Sequence, residues 1–230
     1  MDQRFSEIPA IHPNASGESQ PEIVDRRLRT GETRGGSRLV DYVVTSYYTT
    51  KYALYAKRLE ESLEAQKVRY HYVLPIQDLG GWQKNTSHKP IWLKRMLDEF
   101  RPMPLVWIDA DAIVRSSMDW LRWVIGDVAV CRWQYDKRAW EIMSGTVFLQ
   151  NNDRARDLLD RWKFYADKYP DRLEQKALQQ SIEEMGDELK VEWLGVEWCF
   201  IYDRFRRVFP KVEPIIEHFQ ASRQFRRENP

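Results

Sequence analysis

Apolar residues in this chain fall into short continuous runs and into stripes at helical spacing, and the two kinds of segment alternate, which predicts an α/β domain. The first run, Leu39 to Ser46, reads as a strand. A helix from Tyr52 to Leu63 and a second strand from Val68 to Pro75 follow it, so the chain opens with a βαβ unit. A polar loop, Gly80 to His88, leads into a helix from Lys89 to Phe100. Beyond the run from Pro104 to Val114, the pattern gives a short helix from Asp119 to Val124 and a strand from Asp127 to Arg132. A further strand runs from Ser144 to Gln150, opened by a glycine turn, and Asp153 is placed to cap a helix through Leu158 and Trp162. A polar helix from Leu173 to Met185, a strand from Val191 to Trp193 and an apolar segment from Pro214 to Phe219 complete the order.

Outside this pattern lie the two ends. Residues 1–38 are rich in Pro, Gly, Ser, Glu and Arg and poor in apolar side chains, so they cannot bury a core and read as a flexible arm. Residues 39–223 form the expected domain, and 224–230 a basic tail. With 230 residues, 43% hydrophobic, one good core is expected. Lys+Arg 36 balance Asp+Glu 35, which removes any general bias toward nucleic acid or anionic membrane. Cys131 and Cys199 lie far apart in apolar segments without metal-ligand spacing and read as reduced core thiols, with one disulfide as the alternative. No apolar stretch approaches a membrane span, and no basic-then-apolar leader opens the chain, so a cytoplasmic location is expected.

The run from Pro104 to Val114 changes the picture most, because Asp109 and Asp111 interrupt it. Continuous apolar runs suit strands buried on both faces, and open α/β sheets hold their ligands at the strands' C-terminal ends. Carboxylates at i and i+2 on a strand point the same way and can face one hard ion such as Mn²⁺ or Mg²⁺, whose remaining ligands come from water and phosphate oxygens. The plain alternative is a pair of turn or capping aspartates. For other residues, too, the residue types leave both readings open. His218 can be a core histidine or a ligand, Arg223 part of a solvated basic tail, Lys89 an ordinary helix start, Ser144-Gly145 a turn, and Glu174-Gln175 surface helix formers.

Taken together, in order, these segments resemble nucleotide-sugar glycosyltransferases of the GT-A fold, and within them the retaining group that includes glycogenin and the bacterial lipopolysaccharide galactosyltransferases. The resemblance spans Leu39 to Arg223. It is carried by the opening strand, Lys89-Pro90 before a helix, Asp109-x-Asp111, Ser144-Gly145 followed by Asn151-Asn152, Glu174-Gln175 ahead of Leu178, and His218 with Ala221 and Arg223 behind it. It implies a single GT-A (Rossmann-like) domain with a central mixed, mainly parallel sheet flanked by helices. It also implies a divalent cofactor, Mn²⁺ or Mg²⁺, held by Asp109, Asp111 and His218. Donor binding falls to Thr45, Ser46 and Tyr47 for base and ribose, to Lys89, Asp109, Ser144 and Gly145 for sugar and phosphates, and to Arg223 as a diphosphate clamp. Asp111, Gln175 and Glu174 take the catalytic positions, the last two near the anomeric carbon. Glu174 stands where the family more often has Asp, and Ala221 where it often has Gly.

The activity so implied is transfer of a sugar from a nucleoside diphosphate, UDP-sugars favoured, to an acceptor hydroxyl on a carbohydrate, a protein or DNA. Retention is favoured because no side chain is an evident strong general base. Two other readings share part of the evidence. A nucleotidyltransferase or phosphohydrolase also uses paired aspartates, but the further carboxylates or Gly-rich phosphate loop such enzymes need are missing. A transferase acting on a modified nucleic-acid base, of the phage type, rests on the arginines of residues 25–38 and 223–227.

Overall fold

In a computed structural model, which describes residues 40–136 and 139–223, the expected alternation is present and its register positions the site. In chain order the strands are β1 (Val43–Tyr48), β2 (His71–Pro75), β3 (Leu105–Ile108), β4 (Ala112–Val114), β5 (Val128–Asp136), β6 (Ala139–Leu149), β7 (Val191–Leu194), β8 (Phe200–Ile201) and β9 (Ile216–His218). The α-helices are α1 (Ala53–Ala65), α2 (Trp82–Ser87), α3 (Lys89–Glu99), α4 (Asp153–Lys168), α5 (Glu174–Met185) and α6 (Tyr202–Val208).

Six strands form the main sheet in the order β2-β1-β3-β6-β5-β7. β1 runs parallel to both β2 and β3, β6 is antiparallel to β3 and β5, and β7 is parallel to β5, a mixed sheet. Neighbouring residues on each strand bury opposite faces, as the pleat requires. Val43, Leu105 and Val147 pack with Leu93, Leu158, Trp162 and Leu178 from α3, α4 and α5. Val44, Val106 and Phe148 pack with Leu59 and Leu63 of α1 and with Phe200 and Ile216. Both faces are thus covered, and the strand interiors read as near-continuous apolar runs for that reason.

Several elements differ from the sequence reading. The apolar run at 104–114 is not one strand: β3 ends at Ile108, the chain turns through Asp109 to Asp111, and β4 begins at Ala112, because Asp109 N–H donates to Gly145 O and Ala112 N–H to Asp109 O. β4 leaves the main sheet and joins a three-stranded sheet, β4-β9-β8, that the pattern of short apolar pieces did not announce. No glycine turn opens the strand at Ser144. Gly145 lies inside β6, where an added Cβ would stand 2.9 Å from His218 Cε1 and 3.0 Å from Cys199 Sγ, so its lack of a side chain lets β9 close on the sheet. The cap of α4 is Asn152, whose side chain accepts from Ala155 N–H, and Asp153 sits one residue inside, favourable to the helix dipole. The short helix α2 lies in the segment read as loop, and α6 falls where the pattern assigned no element. Both cysteines are buried free thiols. Among the described residues, no helix is long and apolar enough to cross a membrane. The arm at 1–38, together with Leu39, and the tail at 224–230 lie outside the described residues.

Candidate active site and metal centre

β3 ends among other buried strands, so the first residues past it open into a cleft of about 300 Å³ at the sheet's C-terminal edge. Asp109 and Asp111 stand at its floor. β9 supplies the third group: Ala112 pairs with His218 across the antiparallel β4-β9 ladder, which sets the imidazole beside the two carboxylates. One ligand atom from each of Asp109, Asp111 and His218 lies within 4.8 Å of the others. The small sheet exists, in effect, to bring residue 218 back to residue 111.

Each of the three is held by neighbours. Asp109 Oδ1 accepts from Trp107 Nε1 at 2.7 Å and from Lys89 Nζ at 3.0 Å. Asp111 Oδ2 accepts from the backbone N–H of Ala221 at 2.7 Å, and Phe219 N–H reaches Asp111 O. His218 Nε2 is 3.1 Å from Thr146 Oγ1, which fixes the ring's orientation. Burial, opposed in part by the Asp109 carboxylate, lowers the His218 pKa to about 4, so the ring is neutral and able to ligate at physiological pH. Burial and then the neighbouring Asp109 charge raise Asp111 to about 6.

Lys89 lies under this floor, 2% exposed. Its ammonium donates to Asp109 Oδ1, to Glu174 Oε1 at 2.9 Å and to Ser144 O at 3.2 Å, three acceptors for three donors. Burial by itself would lower the lysine's pKa; the charges of Asp109 and Glu174 outweigh it and hold the ammonium above its ordinary value. Glu174 Oε1 also accepts from Ser144 Oγ at 2.7 Å, while its Oε2 is buried with no partner. Burial raises the Glu174 pKa, the Lys89 charge opposes it and Asp109 adds to it. Asp109 and Glu174 pair with the one ammonium and Asp111 stands beside Asp109 without a cation of its own, an excess of two negative charges when all three are ionised. Two carboxylates and a neutral imidazole within reach of one point, with that charge excess, fit a divalent cation of the Mn²⁺ or Mg²⁺ type.

Other residues singled out in the sequence are placed less uniformly. Tyr47 lines the cleft, packed against Trp92 and Trp107, and its hydroxyl donates to Asn85 O at 2.5 Å. Burial, and then Glu174 and Asp109, push its pKa well up, so it stays a neutral phenol. Thr45 and Ser46 are fully buried and do not line the cleft: Thr45 Oγ1 accepts from Trp92 Nε1, and Ser46 Oγ has no partner. Thr49 and Tyr52, just beyond them, do line it. Ser144, Gly145 and Gln175 line it as well, Gln175 with its amide 3.5 Å from Glu141 Oε2. Arg223 stands at the rim, donating to Asp203 Oδ2 at 2.7 Å. The tight turn before it falls on Gln220 (φ 53°) and not on Ala221, so no glycine is needed at 221. Sequence reasoning missed Trp82, Asn85, Thr86, Trp107 and Thr146. Only Trp107 carried a signal, an indole two residues before Asp109 on the same strand face.

The six-stranded mixed sheet flanked by helices is consistent with a single domain of the GT-A-like fold. The described domain is similar to a glycosyltransferase involved in glycosylation of the major capsid of PBCV-1, with 13% identity over 81% of this chain and 98% of that one, at a TM-score of 0.60. It is also similar to the glycosyltransferase GlyE of Streptococcus pneumoniae TIGR4 (14% identity, 78% of this chain and 54% of that one, TM-score 0.56) and to the bifunctional glycosyltransferase WbbM (11%, 83% and 47%, TM-score 0.50). The chain therefore spans about half the length of the GlyE and WbbM chains. No family model matches the sequence, and no curated protein matches it.

Proposed function

We propose that this protein is a metal-dependent glycosyltransferase that moves a sugar from a nucleoside diphosphate, with UDP-sugars favoured, to an acceptor hydroxyl, retaining the anomeric configuration, and that residues 39–223 are its catalytic unit. The observation that carries the reading is the charge imbalance at the cleft floor, where Asp109, Asp111 and His218 converge beside the Lys89–Glu174 pair. A divalent ion bound there supplies positive charge against the diphosphate leaving group.

The chain's own residues do the rest. Lys89 fixes Asp109 and Glu174 relative to each other, and Trp107 holds the same Asp109 oxygen from the strand side. Arg223, kept at the rim by Asp203, is placed to take a phosphate oxygen. Glu174 and Gln175 line the cleft and would meet the donor's sugar. Tyr47, Thr49 and Tyr52 offer the wall for base and ribose.

Calorimetric titration of UDP-, GDP- and other nucleotide sugars, in Mn²⁺ and in EDTA, tests the proposal. Binding of one donor class in Mn²⁺ is expected, with loss of both binding and turnover in EDTA and in Asp109→Ala. Unchanged donor binding and transfer without metal would overturn it. The anomer of the product, read by NMR, tests retention separately.

A further inference from the structure

We propose that the acceptor is a neutral saccharide, received at the outer rim of the cleft between Trp82 and Leu173. The inference rests on the donor reading above and adds the acceptor's class to it.

Trp82 opens α2 and Leu173 is the residue before α5; both line the cleft. Leu173 is 47% exposed, a large apolar side chain kept in water at the mouth of a polar site. The two segments are tied together. The Gln83 side-chain amide donates to Pro170 O and, at 3.2 Å, to Arg172 O, bridging the residue after Trp82 to the residue before Leu173. On the other side of Trp82, Asp78 Oδ1 accepts from the N–H groups of Gly80 and Gly81, both at positive φ, and from the Asn85 amide. The rim is therefore held in place before any ligand arrives, which lowers the ordering cost of binding.

Chemistry selects the occupant. A pyranose has an apolar C–H face and a hydroxyl edge; an indole beside a leucine suits the face, and the Gln175 amide, two residues past Leu173 and also lining the cleft, suits the edge. Charge excludes the polyanionic alternative. The charged residues lining the cleft are Lys89, Asp109, Asp111, Glu174 and Arg223; Lys89 is held by Asp109 and Glu174, and Arg223 is the cation assigned above to the donor's diphosphate. A nucleic-acid acceptor needs further cations along its path, and among the described residues that line the cleft there is no Lys or Arg beyond these two, against three carboxylates. The same rim lies next to Glu174 and Gln175, where the transferred sugar would meet its acceptor.

The test is transfer from the donor found in the screen to lactose, maltose and chitobiose, run beside a single-stranded oligonucleotide and a Ser/Thr-rich peptide. Transfer to at least one saccharide is expected. For that saccharide, Trp82→Ala should raise the acceptor KM at least tenfold while the donor dissociation constant moves less than threefold, and Trp82→Phe should recover most of the loss. Transfer only to the oligonucleotide or the peptide, or to none of the five, overturns the proposal. So does an unchanged acceptor KM, and so does a donor dissociation constant that rises with it, since that places Trp82 in the nucleotide subsite. Failure of the underlying reading shows differently: the unaltered protein then binds no nucleotide sugar at all.

Discussion

Strand β9 buries two neighbouring polar side chains, Glu217 and His218, 4% and 1% exposed, and they belong to opposite kinds of charge cluster. Glu217 is matched from outside. Arg115 donates to it through Nη2 at 2.6 Å and Nε at 2.8 Å, Arg206 approaches to 3.6 Å, and both arginines remain partly in solvent. His218, one residue on, faces the cluster of Asp109, Asp111 and Glu174, in which Lys89 pairs with the first and the last. A buried charge whose partners keep contact with water can be balanced by the fold alone. An imbalance kept inside a concave site is relieved either by protonating a carboxylate or by a bound cation. Packing balances the first cluster, and the second keeps the excess that the proposed metal ion would offset.

The largest expected effect comes from worsening the imbalance. Lys89→Met should cost about 3 kcal/mol of folding stability at neutral pH, because it leaves the buried Glu174 and the half-buried Asp109 without a counter-charge. Denaturant unfolding measures it, and the double variant Lys89→Met/Glu174→Gln should regain part of the loss by neutralising one orphan. A cost below about 1 kcal/mol would mean that solvent screens this cluster as freely as it screens the arginines around Glu217, and the contrast would fail.

A second effect tests how tightly the two sheets close. In Gly145→Ala the new methyl would meet His218 Cε1 at 2.9 Å and Nδ1 at 3.0 Å, so the ring has to move. A loss of about 1–3 kcal/mol in stability is expected, together with weaker Mn²⁺ binding by calorimetry in the absence of donor. Loss of stability with unchanged Mn²⁺ affinity would separate His218 from the metal.

How much of this was legible from the chain differs between the two sheets. The main sheet's apolar runs are long enough, and their helices periodic enough, for the βαβ opening, β3, and the helices α3 to α5 to be read directly. Asp109 and Asp111 stood out because carboxylates interrupt such a run. The small sheet was nearly silent: β8 and β9 are two and three residues long, too short for periodicity, and their pairing with β4 is a tertiary fact. The placing of His218 beside Asp111 thus came from resemblance, and the geometry that does it could not be read. Thr45 and Ser46 show the converse limit. A strand end has two faces and two ends of access, and the sequence does not say which residues the neighbouring α3 will cover, so the cleft begins at Tyr47 and continues to Thr49 and Tyr52.

A third, smaller effect relieves the imbalance. Asp111 has a pKa of about 6 in the folded protein, above its unfolded value, so the proton it holds favours the fold fully below about pH 4 and ceases to as the pH rises through 6. Asp111→Asn keeps an acceptor for the Ala221 N–H and carries no charge. Metal-free, it should be more stable than the unaltered protein by about 1–2 kcal/mol at pH 8, a figure discounted for the residue's partial exposure, and the gain should vanish toward pH 4. His218, lowered to about 4, has the opposite pH dependence but is present in both proteins, so the difference between their unfolding free energies isolates Asp111. A gain independent of pH would deny that the carboxylate's charge is its source.

The smallest effect belongs to the balanced cluster and serves as the control for the others. Glu217→Gln removes the charge that Arg115 and Arg206 share, yet both guanidinium groups are already 46% and 37% exposed and can turn to water, so the expected cost is about 1 kcal/mol or less. The side chain sits one residue from His218 but points to the other face of β9, since neighbours on a strand alternate. Mn²⁺ affinity and donor affinity should therefore match those of the unaltered protein within experimental error. If Glu217→Gln weakened metal binding as Gly145→Ala is expected to, the arginine pair would have to be counted in the site's electrostatics, and the line between a charge balanced by the fold and one left for a ligand would not run through β9.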